Sequence, residues 1–417
     1  MAEAQPDAAG ARRRRVIAGY AAPRSHSGSR DADDPTGTEV DPISEKLFDV
    51  DPELVRRFAA DQIPSPATFH AAISREDEML LHALEGYHGD LERASVLYLL
   101  QGKQMMDQLR QIVAWAFGGW DRVSSFLDFA CGYGRFTRHL AQELAPARIW
   151  VSDIYTDAVH FQREQFGVHG VTSATTPDAL SLDRRFDVIF ASSLFSHLPR
   201  RTFEPWLAKL SSLLTERGVL VFTTHGVDLS GRTGEHFLFE ACSESRTLDA
   251  NDYGTTFVSE RFVADAIRRA TGGRAPWRRI AHGHLGFQDL YVVSRDPGRD
   301  PRTLAYDIGC FGHVDGCSMD HARSLRLGGW AADLGSEDGS ARVRVMAGGK
   351  ILHECAPDHD RPVVATLLSA KALRSGWWCS FPATEIEPSD WIAVKVVNWA
   401  GRENTISLAP LESMLRW

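Results

Sequence analysis

The chain has 417 residues, of which 43% are hydrophobic and 24% are charged, and its formal net charge is −9. This length leaves room for more than one domain, and the composition is that of an ordinary soluble globular protein. The negative balance argues against a general nucleic-acid-binding protein, which usually presents a basic face. No run of 18 or more apolar residues occurs, so we expect no membrane span.

The cysteines indicate a reducing environment. There are six, without a C-x-x-C pair or a Cys/His spacing typical of a metal site. We therefore expect free thiols and a cytoplasmic location. His282, His284 and Asp289 could be imagined as metal ligands, but no further ligand is fixed by spacing, and we predict no metal site.

The first 118 residues divide into two parts. Residues 1–41 are rich in Ala, Gly, Ser, Asp and Arg and are predicted to be a disordered tail. No apolar segment follows its arginines, so a secretory signal is not indicated. Residues 42–118 read as helices, and Asp90 can cap a long one. This segment is predicted to pack against the following domain, where it can also cover a substrate as a lid.

A strand, a glycine turn and a helix follow each other from Ser124 onwards. The apolar run 126–130 reads as a buried strand, and Gly132 and Gly134 form the turn. Phe136, Leu140 and Leu144 then recur every four residues, as on one face of a helix. This order places backbone N–H groups at a helix N-terminus, where an anionic ligand is held. Glycine also allows a ligand to approach the backbone closely.

An acidic residue ends the next apolar run. Asp153 follows residues 149–152, roughly 20 residues after the turn, where a carboxylate can accept both hydroxyls of a ribose. Its alternative role is that of a helix N-cap or turn residue. The combination with the glycine turn favours the ribose.

Strands and helices continue to alternate as far as residue 295, which predicts a mostly parallel α/β sheet covered on both faces. A helix is expected over 200–217, ended by Gly218, and then a strand over 219–224. A long loop runs from His225 to Thr256. A helix over 259–270 and a hairpin of 277–284 with 288–294 close the sheet.

The segment Asp128-Phe129-Ala130-Cys131-Gly132-Tyr133-Gly134 resembles motif I of the class I S-adenosylmethionine-dependent methyltransferases. Ala130 stands where the family usually has its first glycine. Asp153, Ile154 and the strand 186–192 follow in the order that the family shows. The resemblance implies a Rossmann-like methyltransferase domain over 119–296 with S-adenosyl-L-methionine as cofactor. It further implies a set of cofactor-binding residues: Asp128, Ala130, Cys131, Gly132, Gly134, Asp153, Ile154, Thr176 and Ser192.

Two histidines are candidates for chemistry. His197 lies in the segment that borders the methyl group in this family, and it is predicted as a general base or as a group that orients the acceptor. A capping or packing histidine is its equal alternative. His225, after the fifth strand, is the second candidate.

The composition changes at a linker, and residues 303–417 read as a small β-sandwich. Strands are predicted over 324–331, 341–346, 350–354, 392–399 and 405–408, with a hairpin at Gly348-Gly349. Trp330, Trp391 and Trp399 are expected in its core, whereas one of Trp377 and Trp378 is expected at the surface. The stretch Gly329-Trp330-Ala331-Ala332-Asp333 and the segments after it resemble a β-domain appended to bacterial polysaccharide-biosynthesis enzymes.

Two functions stay open on the sequence. The first is methyl transfer to a small-molecule or saccharide acceptor, preferably at a hydroxyl oxygen. The second is a scaffold that holds the cofactor without turnover and uses the sandwich to bind glycan or a partner. An exposed Trp377 or Trp378 beside an occluded cofactor pocket would favour the second.

Overall fold

The computed structural model describes residues 46–417, apart from 233, 243, 244 and 246. The tail predicted over 1–41 lies outside the described residues. Within the described part of the chain, no helix is both long and apolar enough to cross a membrane.

In the described part of the chain, three α-helices precede the sheet: α1 (Pro52–Gln62), α2 (Glu78–Gly86) and α3 (Leu91–Phe117). The prediction of Asp90 as the cap of a long helix is confirmed, because its carboxylate accepts the Arg93 N–H at 3.0 Å. Gly118 ends α3 in the left-handed conformation that glycine adopts without strain.

A nine-stranded sheet forms the body of the molecule. Its strands are β1 (Phe126–Phe129), β2 (Ile149–Asp153), β3 (His169–Thr172), β4 (Phe186–Ala191), β5 (Leu214–Gly226), β6 (Phe237–Glu240), β7 (Thr255–Val258), β8 (Trp277–His284) and β9 (Gln288–Ser294). The order β3-β2-β1-β4-β5 is parallel throughout, and β9 lies antiparallel between β5 and β8. The hairpin of β8 and β9 is confirmed.

Helices cover both faces of this sheet: α4 (Thr137–Leu140), α5 (Thr156–Phe166), α6 (Arg200–Ser212) and α7 (Glu260–Thr271). Neighbouring residues of β1 belong to different cores, since Phe126 packs with α3 and Leu127 packs with α6 and α7. Burial on both faces explains why these strands read as continuous apolar runs.

Several element boundaries differ from the prediction. Helix α6 ends at Ser212 and β5 begins at Leu214, so the helix predicted to reach residue 217 is shorter. Helix α4 has only four residues, although Phe136, Leu140 and Leu144 are all buried in one core as the spacing predicts. The loop predicted after His225 contains the antiparallel pair β6 and β7.

The C-terminal residues form two antiparallel sheets, which confirms a β-sandwich. Their elements are β10 (Cys310–Met319), β11 (Ser324–Asp333), β12 (Arg342–Ala347), β13 (Lys350–Cys355), α8 (Pro362–Leu367), β14 (Gly376–Pro382), β15 (Trp391–Val397), β16 (Glu403–Pro410) and α9 (Leu411–Met414). One sheet has the order β10-β11-β14 and the other β13-β12-β15-β16. Strands β10 and β14 were missed by the sequence analysis.

The tryptophans of the sandwich follow the prediction with two exceptions, Trp391 and Trp399. Trp330 is buried, Trp377 is buried and its neighbour Trp378 is 62% exposed. Trp391 is half-buried against the N-terminal helices. The expectation of a core position for Trp399 is wrong, because it lies beyond the end of β15 and is 78% exposed.

Helix α3 joins the two domains. Its Gln111 exchanges two hydrogen bonds with the backbone of Asp307, at 3.0 and 2.8 Å, and Arg93 donates to Val314 O at 3.2 Å. On its other side α3 approaches the glycine turn so closely that a Cβ on Gly102 would stand 2.2 Å from Arg135 O. The helix therefore fixes the sandwich and the glycine turn relative to each other.

A buried arginine attaches the N-terminal segment to the same turn. Arg138 has no solvent exposure and donates to the carbonyl oxygens of His70, Ala72 and Gly134, each at 3.1 Å. It also donates to the Tyr98 hydroxyl, which in turn donates to Asp77. Loss of the guanidinium would remove all of these hydrogen bonds from a position without solvent access.

We predict that Arg138→Leu destabilises the chain by roughly 3 kcal/mol or more, because the hydrogen bonds of a fully buried guanidinium to three carbonyl oxygens and to the Tyr98 hydroxyl are lost at once. Thermal unfolding measures the loss. Arg268→Leu is the matched control, since the Arg268 side chain is 66% exposed and its ion pair with Asp265 contributes little. Equal stability of the two variants would contradict this role of Arg138.

Candidate active site

A cavity of about 410 Å³ lies at the carboxyl ends of the parallel strands. Its wall combines residues from all three parts of the chain. The N-terminal part contributes residues between Asp77 and Tyr87 around α2, together with Leu97, Gln101 and Met105 of α3. The sheet contributes the segments after β1, β2, β3, β4 and β5, and the sandwich contributes Leu367 and Leu368. Ligands of open α/β sheets bind at this edge. The N-terminal helices thus occupy the position predicted for a cover, and their movement as a lid stays a prediction.

The turn after β1 has an unusual backbone. Ala130 has φ 59°, and Gly132 and Gly134 have φ 53° and 85°. An alanine in this left-handed region is strained, which is the structural consequence of its replacing the usual glycine. A Cβ on Gly132 would have no atom within 4 Å, so this residue leaves open space beside the backbone. Ala130, Cys131 and Gly132 all line the cavity, as predicted for a binding turn.

Asp153, the last residue of the neighbouring strand β2, forms a hydrogen bond to the turn after β1. Its carboxylate accepts the Gly132 N–H at 2.8 Å and the Tyr155 N–H at 3.0 Å, and it lines the cavity together with Ile154. Burial raises the pKa of Asp153 above its ordinary value. The carboxylate is thus held at the place where the sequence predicts a ribose anchor.

Asp128 lies beneath the turn. It is buried and accepts the Thr137 hydroxyl at 2.7 Å. Burial raises its pKa to about 7, and the neighbouring charge of Asp153 adds to the rise. The site accordingly carries a carboxyl that titrates near neutral pH.

Two of the predicted cofactor residues do not line the cavity. A Cβ on Gly134 would stand 2.4 Å from the Phe166 ring, so this glycine permits close packing of α5 rather than access for a ligand. Thr176 is exposed and lies beyond the wall, which is formed there by Ser173, Ala174 and Thr175. A contact between Thr176 and the cofactor stays a prediction.

His197 is buried at the cavity, after β4. Its Nδ1 lies 2.8 Å from Gly254 O and its ring stacks on Tyr253 at 4.6 Å between centroids. A carbonyl oxygen can only accept, so Nδ1 carries a proton, and whenever the ring is neutral its lone pair lies at Nε2. This is the orientation that a general base requires.

The tautomer of His225 is set by a chain of hydrogen bonds from the backbone. The Ser193 N–H donates to Thr223 Oγ1 at 2.8 Å, so the Thr223 hydroxyl donates to Gln288 Oε1 at 2.6 Å. The Gln288 amide then faces His225 Nε2 with its NH₂ group, at 3.3 Å. His225 Nε2 is therefore the acceptor and Nδ1 carries the proton.

His225 is neutral, and its Nδ1–H is a hydrogen-bond donor. Burial lowers its pKa to about 3, with a further contribution from His197. Its Nδ1 is buried without a partner among the described residues. The two histidine rings stand 6.2 Å apart in an edge-to-face arrangement.

Ser192, predicted from the family, lines the cavity and contacts His284 Nε2 at 2.9 Å. His284 Nδ1 lies 3.1 Å from Gln108 Oε1 on α3, and burial lowers the pKa of His284 to about 3. His284 is thus a structural link to α3. Among the described residues, no group of three or more His, Cys, Asp or Glu side chains is arranged to hold a metal ion.

Arg135 and Gln101 were missed by the sequence analysis. The Arg135 guanidinium lines the cavity and donates to Gln101 Oε1 at 2.9 Å, and burial lowers its pKa. Its position directly after Gly134 is the signal that could have identified it. A half-buried guanidinium at this place offers donors to a carboxylate.

The residues fit an S-adenosylmethionine-type cofactor. The open space at Gly132 admits a ligand against the backbone, Asp153 accepts hydrogen bonds, and Arg135 supplies a cation for a carboxylate. The strand order and this turn define the class I methyltransferase fold.

Comparisons with known proteins agree with this class. Residues 127–220 match a family model described as a methyltransferase domain. The chain therefore contains a methyltransferase domain, and it is an enzyme of this kind. No protein of curated function matches its sequence.

Several solved structures are similar to part of the chain. An S-adenosylmethionine-dependent methyltransferase from Clostridium acetobutylicum is 14% identical, with 50% of this chain and 96% of that chain covered and a TM-score of 0.33. The 1,6-didemethyltoxoflavin-N1-methyltransferase of Burkholderia thailandensis, with S-adenosylhomocysteine bound, is 16% identical, with coverages of 46% and 80% and a TM-score of 0.33.

We predict that the two glycines of the turn respond differently to alanine. Gly134→Ala lowers the thermal unfolding midpoint strongly, because its methyl group meets Phe166. Gly132→Ala also strains the backbone, but its methyl group meets no protein atom. We therefore expect it to weaken the binding of S-adenosylhomocysteine strongly and to lower the unfolding midpoint less than Gly134→Ala does. Calorimetric titration and thermal unfolding of both variants separate the effects, and the reverse order would contradict this division of roles.

We predict a pH dependence of stability that originates at Asp128. Its pKa is higher in the folded than in the unfolded state, so the folded state binds the proton more tightly and stability falls as the pH rises towards 7 and above. Between pH 5 and pH 8 the wild type should lose roughly 2–3 kcal/mol relative to Asp128→Asn. Denaturant unfolding at both pH values measures this difference, and parallel pH curves would contradict it.

Proposed function

We propose that the enzyme methylates a hydroxyl oxygen of a small molecule. The observation that carries this proposal is the pair of histidines at the acceptor side of the cavity. His197 has its lone pair at Nε2 and His225 has its proton at Nδ1. One ring can accept the hydroxyl proton while the other donates a hydrogen bond to the acceptor.

When bound, the cofactor would supply a methyl group on a sulfonium: the acceptor oxygen would form a bond to the methyl carbon, the sulfur–methyl bond would break, and S-adenosylhomocysteine would leave as a neutral thioether. Gly132 and Asp153 would hold it at the turn, with Arg135 at its carboxylate. An alcohol is a weak nucleophile, so removal of its proton by His197 accelerates the reaction. The enclosure by α2, α3 and the sandwich excludes water from the reacting groups.

His225 has a different task in this proposal. With a pKa of about 3 it stays neutral at physiological pH and does not compete for the proton. Its Nδ1–H is available to orient the acceptor oxygen. Gln288 acts as a positioning residue, since its amide fixes the His225 tautomer.

The scaffold alternative receives less support. Trp378 is exposed, as that alternative requires, but the cofactor region opens into a cavity instead of being filled by side chains. A saccharide acceptor stays a possible small molecule within the main proposal.

The first test is binding of S-adenosylhomocysteine by calorimetric titration. We expect saturable binding to the wild type and at least tenfold weaker binding to Asp153→Asn, because the amide replaces an acceptor with a donor. Asp157→Asn, an exposed position on α5, is the matched control. Absence of binding to the wild type would overturn the proposal.

The second test concerns His197. With a set of hydroxylated small molecules as acceptors, release of S-adenosylhomocysteine reports turnover. His197→Gln should lower the rate about a hundredfold or more while the affinity for S-adenosylhomocysteine stays unchanged. A variant that retains the wild-type rate would contradict the assignment of His197 as base.

A further inference from the structure

The sandwich contributes to the wall of the cavity. Leu367, the last residue of α8, and Leu368 both line it. Leu368 is buried, whereas Val363 at the other end of the same helix is 65% exposed. One end of this short helix therefore turns toward the cavity and the other toward solvent.

The contact runs through the turn between β8 and β9. Phe287 lines the cavity and packs against the apolar cluster of the sandwich that contains Leu368. A Cβ on Gly286 would stand 3.2 Å from Leu334 and 3.3 Å from Phe311, so the backbone of the turn lies directly on the sandwich. Leu285 keeps a left-handed φ of 50°, which is strained for a leucine and persists only under firm packing.

This turn belongs to the acceptor side of the cavity. The Phe287 ring lies 6.3 Å from the His225 ring between centroids, and Gln288, the next residue, contacts His225. The predicted cofactor residues Gly132 and Asp153 come from other segments, the turn after β1 and the end of β2. The leucines of the sandwich thus extend the surface that surrounds the proton-handling histidines.

The surface formed by Leu285, Phe287, Leu367 and Leu368 carries no polar side-chain atom. A saccharide in contact with it would lose hydration of its hydroxyl groups without receiving hydrogen bonds there. A flat apolar ring system gains contact area and packs against the Phe287 ring. Only the hydroxyl that is methylated then needs polar partners, which His197 and His225 supply.

We propose that Leu367 and Leu368 are specificity-determining residues, and that the acceptor is a hydroxyl borne on an apolar ring framework. This inference rests on the proposed function of the same site. In it, the sandwich completes the enzyme's own substrate pocket, and an isolated methyltransferase domain would lack this wall.

The test uses 7-hydroxy-4-methylcoumarin, a fluorescent flat phenol, and methyl β-D-glucoside as the saccharide probe. Both are titrated into the full chain with saturating S-adenosylhomocysteine. We expect the phenol to bind the wild type and Leu367→Asp to weaken it by about tenfold or more, since a charge faces the ring. Val363→Asp, with the same charge on the exposed end of α8, should leave the affinity unchanged.

Each of the other experimental results has a different consequence. If Leu367→Asp fails to fold, Leu367→Phe narrows the pocket without a charge and should also weaken the phenol. Equal phenol affinity in wild type and the Leu367 variants overturns the inference, as does binding of the glucoside alone or of neither probe. If S-adenosylhomocysteine does not bind the wild type, the proposed function itself is overturned. If S-adenosylhomocysteine binds and the Leu367 variants keep the wild-type affinity for the phenol, only the role of the sandwich is overturned.

Discussion

The hydrogen bond from the Gly132 N–H to the Asp153 carboxylate is the contact on which the site depends. It joins the turn after β1 to the end of β2 and holds a backbone whose residues lie in the left-handed region. Such a conformation costs about 1–2 kcal/mol for a residue with a side chain, as at Ala130. The turn persists because its neighbours determine it: Ala130 N–H donates to Ser152 O, and Gln162 donates to Gly132 O. The same carboxylate is then positioned for a ligand.

Helix α3 connects the glycine turn to the rest of the molecule. It meets the glycine turn at Gly102, His284 through Gln108 and the sandwich through Gln111. The polar network around His225 also joins distant segments, because the Ser193 N–H donates to Thr223, the Thr223 hydroxyl donates to Gln288, and the Gln288 amide faces His225. The proton positions that the proposed mechanism uses therefore depend on contacts made by the fold.

The parts of the site that sequence could predict are those carried by local patterns. Asp128, Asp153 and the turn between them follow from the strand, glycine and acidic residue in order, and the capping role of Asp90 follows from its place before an apolar helix. Trp391 and Trp399 were misplaced because strand ends carry no periodicity. Arg135 and the leucines of α8 were missed, since their roles arise from contacts between segments far apart in the chain. The packing role of Gly134 likewise depends on Phe166, more than 30 residues away.

Hydrogen–deuterium exchange of the full chain with and without S-adenosylhomocysteine tests the central claim, that one cavity formed by the turn and its cover holds the cofactor. The account predicts slower exchange at residues 130–135 and 153–155, where backbone N–H groups meet the ligand, together with slower exchange in α2 and the N-terminal half of α3. Unchanged exchange at the turn and at residues 153–155 under saturating ligand would contradict it.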